Sequence, residues 1–263
     1  MLEDQPVRSG VTAVDWSGDR TQAQRRKIWR AQVVDGEAVE LESGLDRAEV
    51  VAALIRLADE IPELVVGLDF PFGMPEWFTR DLGASSGPEA WEAVAELGER
   101  WLAERPPPFF GPAGTKRPEG SELLRRTDRQ LGAKSPLQIG GPGAPGTGGI
   151  RGMPLLRELR AAGFAIWPFD DVRAGAPIAL EVYPRAFTGP VNKSDRAERQ
   201  RALDRLAPGV PSVISERAVA GDDAFDALIT ALAMDARLEE LRALPPGDGT
   251  DRREGRIWSP GGE

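Results

Sequence analysis

The sequence predicts an α/β fold: a mixed five-stranded sheet with strand order 3-2-1-4-5, flanked by helices. Two observations predict it. The first is the order of the elements, because residues 11–69 are patterned as three strands, a helix and a fourth strand. The second is the dipeptide Asp35-Gly36 between two strand-like segments, which is typical of a two-residue hairpin turn. The whole chain, residues 1–263, is expected to form a single domain.

The first three strands are predicted at residues 11–16, 27–34 and 37–42, where they form a meander. Asp46 is a typical N-cap for the helix that follows. The apolar residues of this helix recur at helical spacing, and the helix is expected to end before Pro62. The meander and the helix together lead to the fourth strand.

The fourth strand, residues 64–69, ends in a carboxylate. A Phe-Pro pair follows Asp69, and it cannot continue regular structure. Because a helix that joins two strands of one sheet makes a right-handed crossover, the fourth strand is expected to lie parallel beside the first. Asp15 stands at the end of the first strand, so Asp15 and Asp69 are expected to be neighbours.

Residues 75–150 are expected to form a helical and loop insertion within the domain. Helical patterns at about 75–82, 88–104 and 121–132 are separated by a proline-rich segment. Segment 140–149 is rich in glycine but lacks the Gly-Lys-Ser/Thr of a phosphate-binding P-loop. It is either a mobile loop that faces the substrate or a plain linker.

Shorter patterns predict the remaining elements. Residues at helical spacing indicate helices, and short apolar runs indicate strands. In chain order we expect a helix at about 153–162, strands at 164–167 and 178–183, helices at 194–206 and 222–242, and an extended piece at 255–258.

The chain contains no histidine and no cysteine. Their absence excludes a Ser-His-Asp triad, a thiol nucleophile, a disulfide, and zinc sites built from imidazole or thiolate. Carboxylate, lysine or tyrosine chemistry remains, together with the binding of hard cations by oxygen. The absence of cysteine fits a cytoplasmic protein. No apolar run approaches the ~18 residues of a membrane span, so no membrane partner is expected.

The protein is acidic, with a net charge of −9. This charge argues against a protein that coats duplex DNA, because such proteins neutralise phosphates with Lys and Arg. A local basic groove stays open as an interpretation. Its candidate residues lie between 116 and 134, but acids are interleaved with them, and solvated surfaces are the simpler explanation.

Four aspartates stand where a metal site would need them. Asp15 and Asp69 end strands, whereas Asp223 and Asp226 lie three residues apart on one surface of a late helix. A strand disfavours Asp, so a structural role for Asp15 is hard to find. Asp223 can also be explained as a helix-start residue. Glu181, on a later strand, is a reserve ligand. This oxygen set indicates a site for Mg²⁺ or Mn²⁺.

Several motifs that contain these acids resemble a known family. Residues 223–228 are similar to the Asp-Ala-x-Asp-Ala-Leu pattern in the terminal helix of RuvC-type junction resolvases. Across about residues 11–236, the chain resembles a family of unknown function labelled predicted RNase H-like nucleases. The motifs that carry this resemblance are Val14-Asp15-Trp16-Ser17-Gly18, Gly67-Leu68-Asp69-Phe70-Pro71, Trp167-Pro168-Phe169-Asp170, Glu181-Val182-Tyr183-Pro184 and Asp222-Asp223-Ala224-Phe225-Asp226-Ala227.

The resemblance implies an RNase H-like fold and a metal-dependent nuclease or phosphodiesterase. In a two-ion mechanism, Asp15 would bridge the ions and Asp69 would hold one of them. Asp223 or Asp226 would hold the other ion, and a metal-activated water would attack the phosphodiester. Three of these carboxylates should then converge within ~5–6 Å of a common point. The expected partner is nucleic acid or a small phosphodiester.

Two other functions stay open. One is a nucleotide-binding phosphotransferase on the related actin-like fold, in which Ser17 and Gly18 contact phosphate. That function needs two phosphate-binding turns, and the sequence offers one candidate. The other is a noncatalytic binding module on the same scaffold. It predicts carboxylates that are scattered or neutralised by arginine.

Overall fold

A mixed sheet forms the centre of the structure, a computed structural model that describes residues 9–119, 122–141 and 143–261. Its six strands are β1 (Gly10–Asp15), β2 (Trp29–Val34), β3 (Glu37–Ser43), β4 (Val65–Leu68), β5 (Ala165–Trp167) and β6 (Ile178–Glu181). Their order is β3-β2-β1-β4-β6-β5, and β1 pairs antiparallel with β2 and parallel with β4. The predicted α/β class and the predicted adjacency of the first and fourth strands are therefore confirmed.

The sheet has one strand more than the five that the sequence predicted. β6 lies parallel beside β4, in the place expected for the fifth strand, and β5 adds an edge strand parallel to β6. Both segments were recognised as strand-like. However, β5 is 3 residues long, and a run this short has no periodicity that shows whether it joins the sheet.

Helices surround this sheet. In the described part of the chain they are α1 (Gln24–Lys27), α2 (Arg47–Glu60), α3 (Glu76–Asp81), α4 (Gly87–Glu104), α5 (Arg126–Leu131), α6 (Gly146–Ala161), α7 (Arg185–Thr188), α8 (Arg196–Leu206), α9 (Ser212–Ala220), α10 (Asp222–Asp235), α11 (Leu238–Arg242) and α12 (Asp251–Glu254). The single helix expected at 222–242 is thus divided into α10 and α11, and α9 was not predicted. None of these helices is both long enough and apolar enough to cross a membrane.

The hairpin turn and the helix N-cap predicted in the first 60 residues are both present in the structure. Asp35 and Gly36 join β2 to β3 with φ values of 51° and 82°, the left-handed pair that a tight hairpin turn requires. At the start of α2, the Asp46 side chain accepts a hydrogen bond from Glu49 N at 3.0 Å. The Glu49 side chain in turn accepts one from Asp46 N at 2.9 Å, which completes a capping box.

The sheet separates two hydrophobic clusters. Val14 and Leu68 belong to a cluster with side chains of α2, α4 and α6, whereas Val11 and Ala13 belong to a cluster with side chains of α10. Trp91 of α4 is buried in the first cluster. The segment expected as an insertion therefore shares a core with the sheet.

The beginning of α6 corrects the expectation of a loop over residues 140–149. The helix begins at Gly146, and its glycines let it approach the chain that follows β4. A Cβ at Gly152 would lie 2.4 Å from Cε2 of Phe70, and one at Gly149 would lie 3.1 Å from the carbonyl oxygen of Pro71. The glycine-rich segment is thus partly helical. Glycine is required at these helix positions because a larger side chain would collide with the chain that follows β4.

Gly152→Ala is expected to destabilise the protein because the new methyl group collides with the buried Phe70 ring. Overpacking costs about 1–3 kcal/mol, and the higher helix propensity of Ala offsets about 1 kcal/mol of it. Urea unfolding should therefore show a net loss of up to about 2 kcal/mol. Gly209→Ala is the matched control, since a methyl group there meets no atom within 4 Å. A Gly152→Ala variant as stable as this control would show that α6 does not pack so closely.

Candidate active site

The alternation of side chains along β1 places Asp15 on the face of the sheet that α10 covers. Val11 and Ala13 belong to the hydrophobic cluster of α10, whereas Val14 belongs to the opposite cluster. Because successive side chains of a strand point to opposite faces, Asp15 shares the face of Val11 and Ala13. Asp15 is the last residue of β1 and is 9% exposed.

The same alternation applies to Asp69, which directly follows β4. Val65 lies in the α10 cluster, and a Cβ on Gly67 would lie 2.5 Å from a side-chain sulfur of α10. Asp69 lies two residues after Gly67, so its side chain points to the same face of the sheet. Its backbone N–H donates to Val14 O at 3.1 Å, which continues the contact between β1 and β4. Asp15 and Asp69 therefore stand at adjacent strand ends, as the sequence predicted.

Two more carboxylates come from α10, which packs against β1 and β2. Phe225 and Leu228 anchor this helix in the core. Asp223 is partly buried in the first turn, and Asp226 is only 6% exposed. Asp226 lies one turn into the helix, where capping does not explain a buried carboxylate.

The four carboxylates interact electrostatically, and we call Asp15, Asp69, Asp223 and Asp226 the aspartate cluster. Burial raises the pKa of the Asp15 carboxyl well above its ordinary value, and the charges of the other three aspartates raise it further. Burial raises the pKa of Asp69 to about 8, with Asp226 as the next cause. Burial and neighbouring acids raise the pKa of Asp223 to about 6. Crowded carboxylates at a strand end are typical of functional sites.

One lysine enters this cluster, and the sequence analysis did not identify it. Lys193 lies in the connection between α7 and α8, and its ammonium donates a hydrogen bond to Oδ2 of Asp226. The other oxygen of Asp226, Oδ1, is buried and has no hydrogen-bond partner among the described residues. A buried carboxylate oxygen without a donor is costly, so this atom is suited to accept a cation.

Glu181 lies on the opposite face of the sheet from the aspartate cluster, although it lines the same cleft and its charge contributes to the raised pKa of Asp69. It ends β6 and pairs in register with Leu68, whose side chain faces away from α10. There it accepts hydrogen bonds from Arg125 at 2.6 and 2.7 Å and from Phe72 N at 2.9 Å. Arg125 is 1% exposed and also pairs with Asp128 at 2.8 Å. Glu181 is therefore the partner of a buried arginine, whereas the sequence analysis treated it as a reserve metal ligand.

The side chains of the aspartate cluster are not arranged as a metal site. In residues 9–119, 122–141 and 143–261, no group of three or more acidic side chains is positioned to hold a metal ion. The predicted convergence of three carboxylates on one point is therefore not found in the described residues. The chemistry of these side chains nevertheless fits Mg²⁺ or Mn²⁺, because all the candidate ligand atoms are carboxylate oxygens. One of them, Oδ1 of Asp226, has no hydrogen-bond partner among the described residues.

A cleft of about 640 Å³ opens beside the cluster and is lined by Asp69, Asp226 and Lys193. The glycine-rich segment also lines it from Gly143 to Gly148, which favours the substrate-facing interpretation over a plain linker. Pro142 of that segment lies outside the described residues.

Two further residues of the cleft were not among the predicted site residues, although Tyr183 belongs to the motif at 181–184. Tyr183 and Arg185 both line it. Arg185 is exposed and makes no ion pair with any residue that the structure describes. A signal for it existed, because Arg185 directly follows the Glu-Val-Tyr-Pro motif.

The turn after β1 is held rigidly at one wall of the cleft. Arg47 of α2 donates to Ser17 O at 3.0 Å, and Arg151 of α6 donates to Gly18 O. A Cβ on Gly18 would lie 2.6 Å from Gly148 N, so only glycine allows this approach. Ser17 and Gly18 line the cleft, as the alternative phosphate-binding role would need.

Comparison with known proteins provides no relative from which a function could be transferred. No protein-family model, no curated protein and no solved structure matches the chain. The site is therefore interpreted from its own geometry: four aspartates from three elements, one lysine and a cleft.

The raised pKa of Asp69 leads us to expect that stability falls as the pH rises from about 5 to about 8. Folded Asp69 keeps its proton up to about pH 8, whereas an unfolded Asp loses it near pH ~3.9. The folded state therefore binds more protons in this window, and raising the pH favours unfolding. The chain has no histidine, so no imidazole titrates there.

Calorimetry in EDTA should show this effect as a Tm at least about 2–4 °C lower at pH 8 than at pH 5, the shift that ~1 kcal/mol causes in a domain of this size. The difference should shrink in Asp69→Asn, which cannot titrate. A Tm that rises over this range would contradict the assignment of a buried, protonated Asp69.

Proposed function

We propose that the protein is a metal-dependent phosphodiester hydrolase with an RNase H-like fold. The observation that carries this proposal is the aspartate cluster, in which carboxylates from the end of β4 and from α10 raise the pKa of Asp15, at the end of β1, beyond the effect of burial. Among the described residues, no arginine pairs with any member of the cluster. Burying carboxylates in this way is costly, and a purely structural role does not explain it.

The arrangement of the sheet supports the RNase H-like assignment. Three antiparallel strands are followed, after a helix, by parallel strands beside β1. The acids stand at the carboxyl ends of β1 and β4, and α10 adds its acids late in the chain. Ligands of open α/β sheets favour these strand ends.

Asp15, Asp69 and Asp226 would hold Mg²⁺ or Mn²⁺, and Asp223 would assist them. When bound, such an ion acts as a Lewis acid that lowers the pKa of water and offsets charge on a leaving oxygen. In the hydrolysis, the oxygen of water bonds to phosphorus while the bond to the leaving alcohol breaks. One proton of the water ends on that alcohol. Asp69 and Asp226 line the cleft and would fix the position of these events at its wall.

The cleft favours a small phosphodiester, or a single strand, over a duplex. Its volume of about 640 Å³ lies in the range of small-molecule sites, ~300–1,000 Å³. Arg185 lines it and has no partner among the described residues, so it can bind a substrate phosphate. The net charge of −9 disfavours a long duplex.

An activity screen with Mg²⁺ and Mn²⁺ tests this proposal. It should cover small phosphodiesters and single-stranded, duplex, hybrid and branched nucleic acids. We expect metal-dependent hydrolysis of small or single-stranded substrates, and loss of hydrolysis in EDTA. Asp15→Asn is the test variant. Asp59→Asn is its control, because Asp59 is an exposed carboxylate of α2 outside the cleft.

The outcomes separate the candidate functions. Hydrolysis that survives EDTA would contradict the metal dependence. If no substrate is cleaved and Mn²⁺ does not bind, the hydrolase proposal fails, and a noncatalytic binding module becomes the better account. Transfer of phosphate from a nucleotide would instead favour the phosphotransferase.

A further inference from the structure

We propose that Lys193 takes the place of a second metal ion, so that the aspartate cluster binds one divalent cation and uses the lysine ammonium as its other positive charge. This inference rests on the proposed function and specifies the cations of the same site. It replaces the two-ion arrangement that the sequence suggested with one ion and one fixed ammonium.

The ammonium of Lys193 lies within the cluster. It donates a hydrogen bond to Asp226 Oδ2 and interacts electrostatically with Asp15 and Asp69. Asp226 was one of the two residues expected to hold the second ion. Its side chain is 9% exposed, so the lysine reaches a carboxylate that solvent hardly touches.

The backbone of Lys193 is held in place by a buried arginine. Arg199 of α8 is 6% exposed and donates to Lys193 O. The same guanidinium donates to Val219 O at 2.7 and 3.1 Å, at the end of α9 and close to the start of α10. The backbone of Lys193 is therefore tied to the end of α9, which leads directly into the helix that carries Asp226. A surface lysine in chance contact would not have such a support.

The position of Lys193 disfavours a second divalent ion. An ammonium and a metal ion at one carboxylate repel each other, and Oδ2 of Asp226 is already occupied. Oδ1 of Asp226 has no described partner and stays free for the first ion, together with Asp15 and Asp69.

Counting bound Mn²⁺ tests this inference without any substrate. Isothermal titration calorimetry gives the number of ions for each chain, and EPR detects the coupling of two neighbouring Mn²⁺ ions. We expect one ion in the wild type, one in Lys193→Arg, which keeps the charge, and two in Lys193→Met. Lys27→Met is the matched control: Lys27 also lines the cleft, but it pairs with Asp19 at 2.7 Å. This control should bind one ion.

The results distinguish the inference from the proposed function. Two coupled Mn²⁺ ions in the wild type would overturn the role of Lys193 and leave the hydrolase proposal standing. A single ion in a folded Lys193→Met variant would also overturn it. If the wild type binds no Mn²⁺, the proposed metal-dependent function itself fails. Because two ions in the wild type would overturn the inference whatever the variant does, it stays testable even if Lys193→Met does not fold.

Discussion

Arg125→Met is expected to lower the free energy of unfolding by about 3–5 kcal/mol, the cost of leaving buried charges without their partner. Arg125 is 1% exposed and forms ion pairs with Asp128 and Glu181, which are themselves buried. Methionine fills similar space but donates no hydrogen bond. Both carboxylates would then be buried without a counter-charge. Urea unfolding monitored by circular dichroism measures the effect.

An exposed arginine provides the control for this experiment. Arg100 of α4 pairs with Glu104 across one helical turn, and both side chains are mostly exposed. Arg100→Met should change the free energy of unfolding by less than about 1 kcal/mol. Equal losses in the two variants would refute the buried network as a main source of stability.

Asp15→Asn is expected to lower kcat/KM for the phosphodiester substrate by about 100-fold or more, as the loss of a charged group at a reacting centre does. Asn keeps the size of the side chain but loses the negative charge that would hold a cation. Kinetics at saturating Mn²⁺, with Asp59→Asn as the reference, measure the loss. An Asp15→Asn variant with full activity would remove Asp15 from the mechanism.

The same substitution should not destabilise the protein, and this separates function from folding. Asp15 makes no side-chain hydrogen bond or ion pair in the described structure, and burial raises its pKa well above the ordinary value. A neutral amide therefore removes an unfavourable buried charge. We expect a Tm at pH 8 equal to or above that of the wild type. A large fall in Tm would mean that Asp15 has a structural role instead.

Side-chain alternation explains why much of the site could be predicted from the sequence. Asp15 and Asp69 follow strands whose patterns were clear, and one right-handed crossover places those strands side by side. The face of the sheet that a side chain occupies is known only from the packing. Glu181 follows Leu180, which lies in the α10 cluster, so its side chain points to the other face.

The residues whose roles could not be predicted from the sequence lie in segments without a periodic pattern. Lys193 lies in a connection, and its neighbour Asp226 is 33 positions away. Arg125 precedes the short α5 and meets Glu181 across 56 positions. Such contacts depend on how the chain packs in three dimensions. A local pattern of charges does not distinguish them from solvated surfaces.

The glycine-rich segment shows the same limit in another form. Its composition indicated a loop, since glycine disfavours helices. Packing overrides this preference, because α6 must approach Phe70 and the turn at Gly18 closely. Glycine at these places was a sign of close contact between α6 and the strand ends, and no local propensity could reveal that contact.

A crystal structure with bound Mn²⁺ would show whether the aspartate cluster holds a metal ion. Anomalous diffraction at the manganese edge shows where the ion binds without any knowledge of the substrate. We predict one strong peak between the carboxylates of Asp15, Asp69 and Asp226, with Lys193 still at Asp226. Saturating Mn²⁺ that gives no peak at the aspartate cluster, or a peak only elsewhere on the protein, would contradict it.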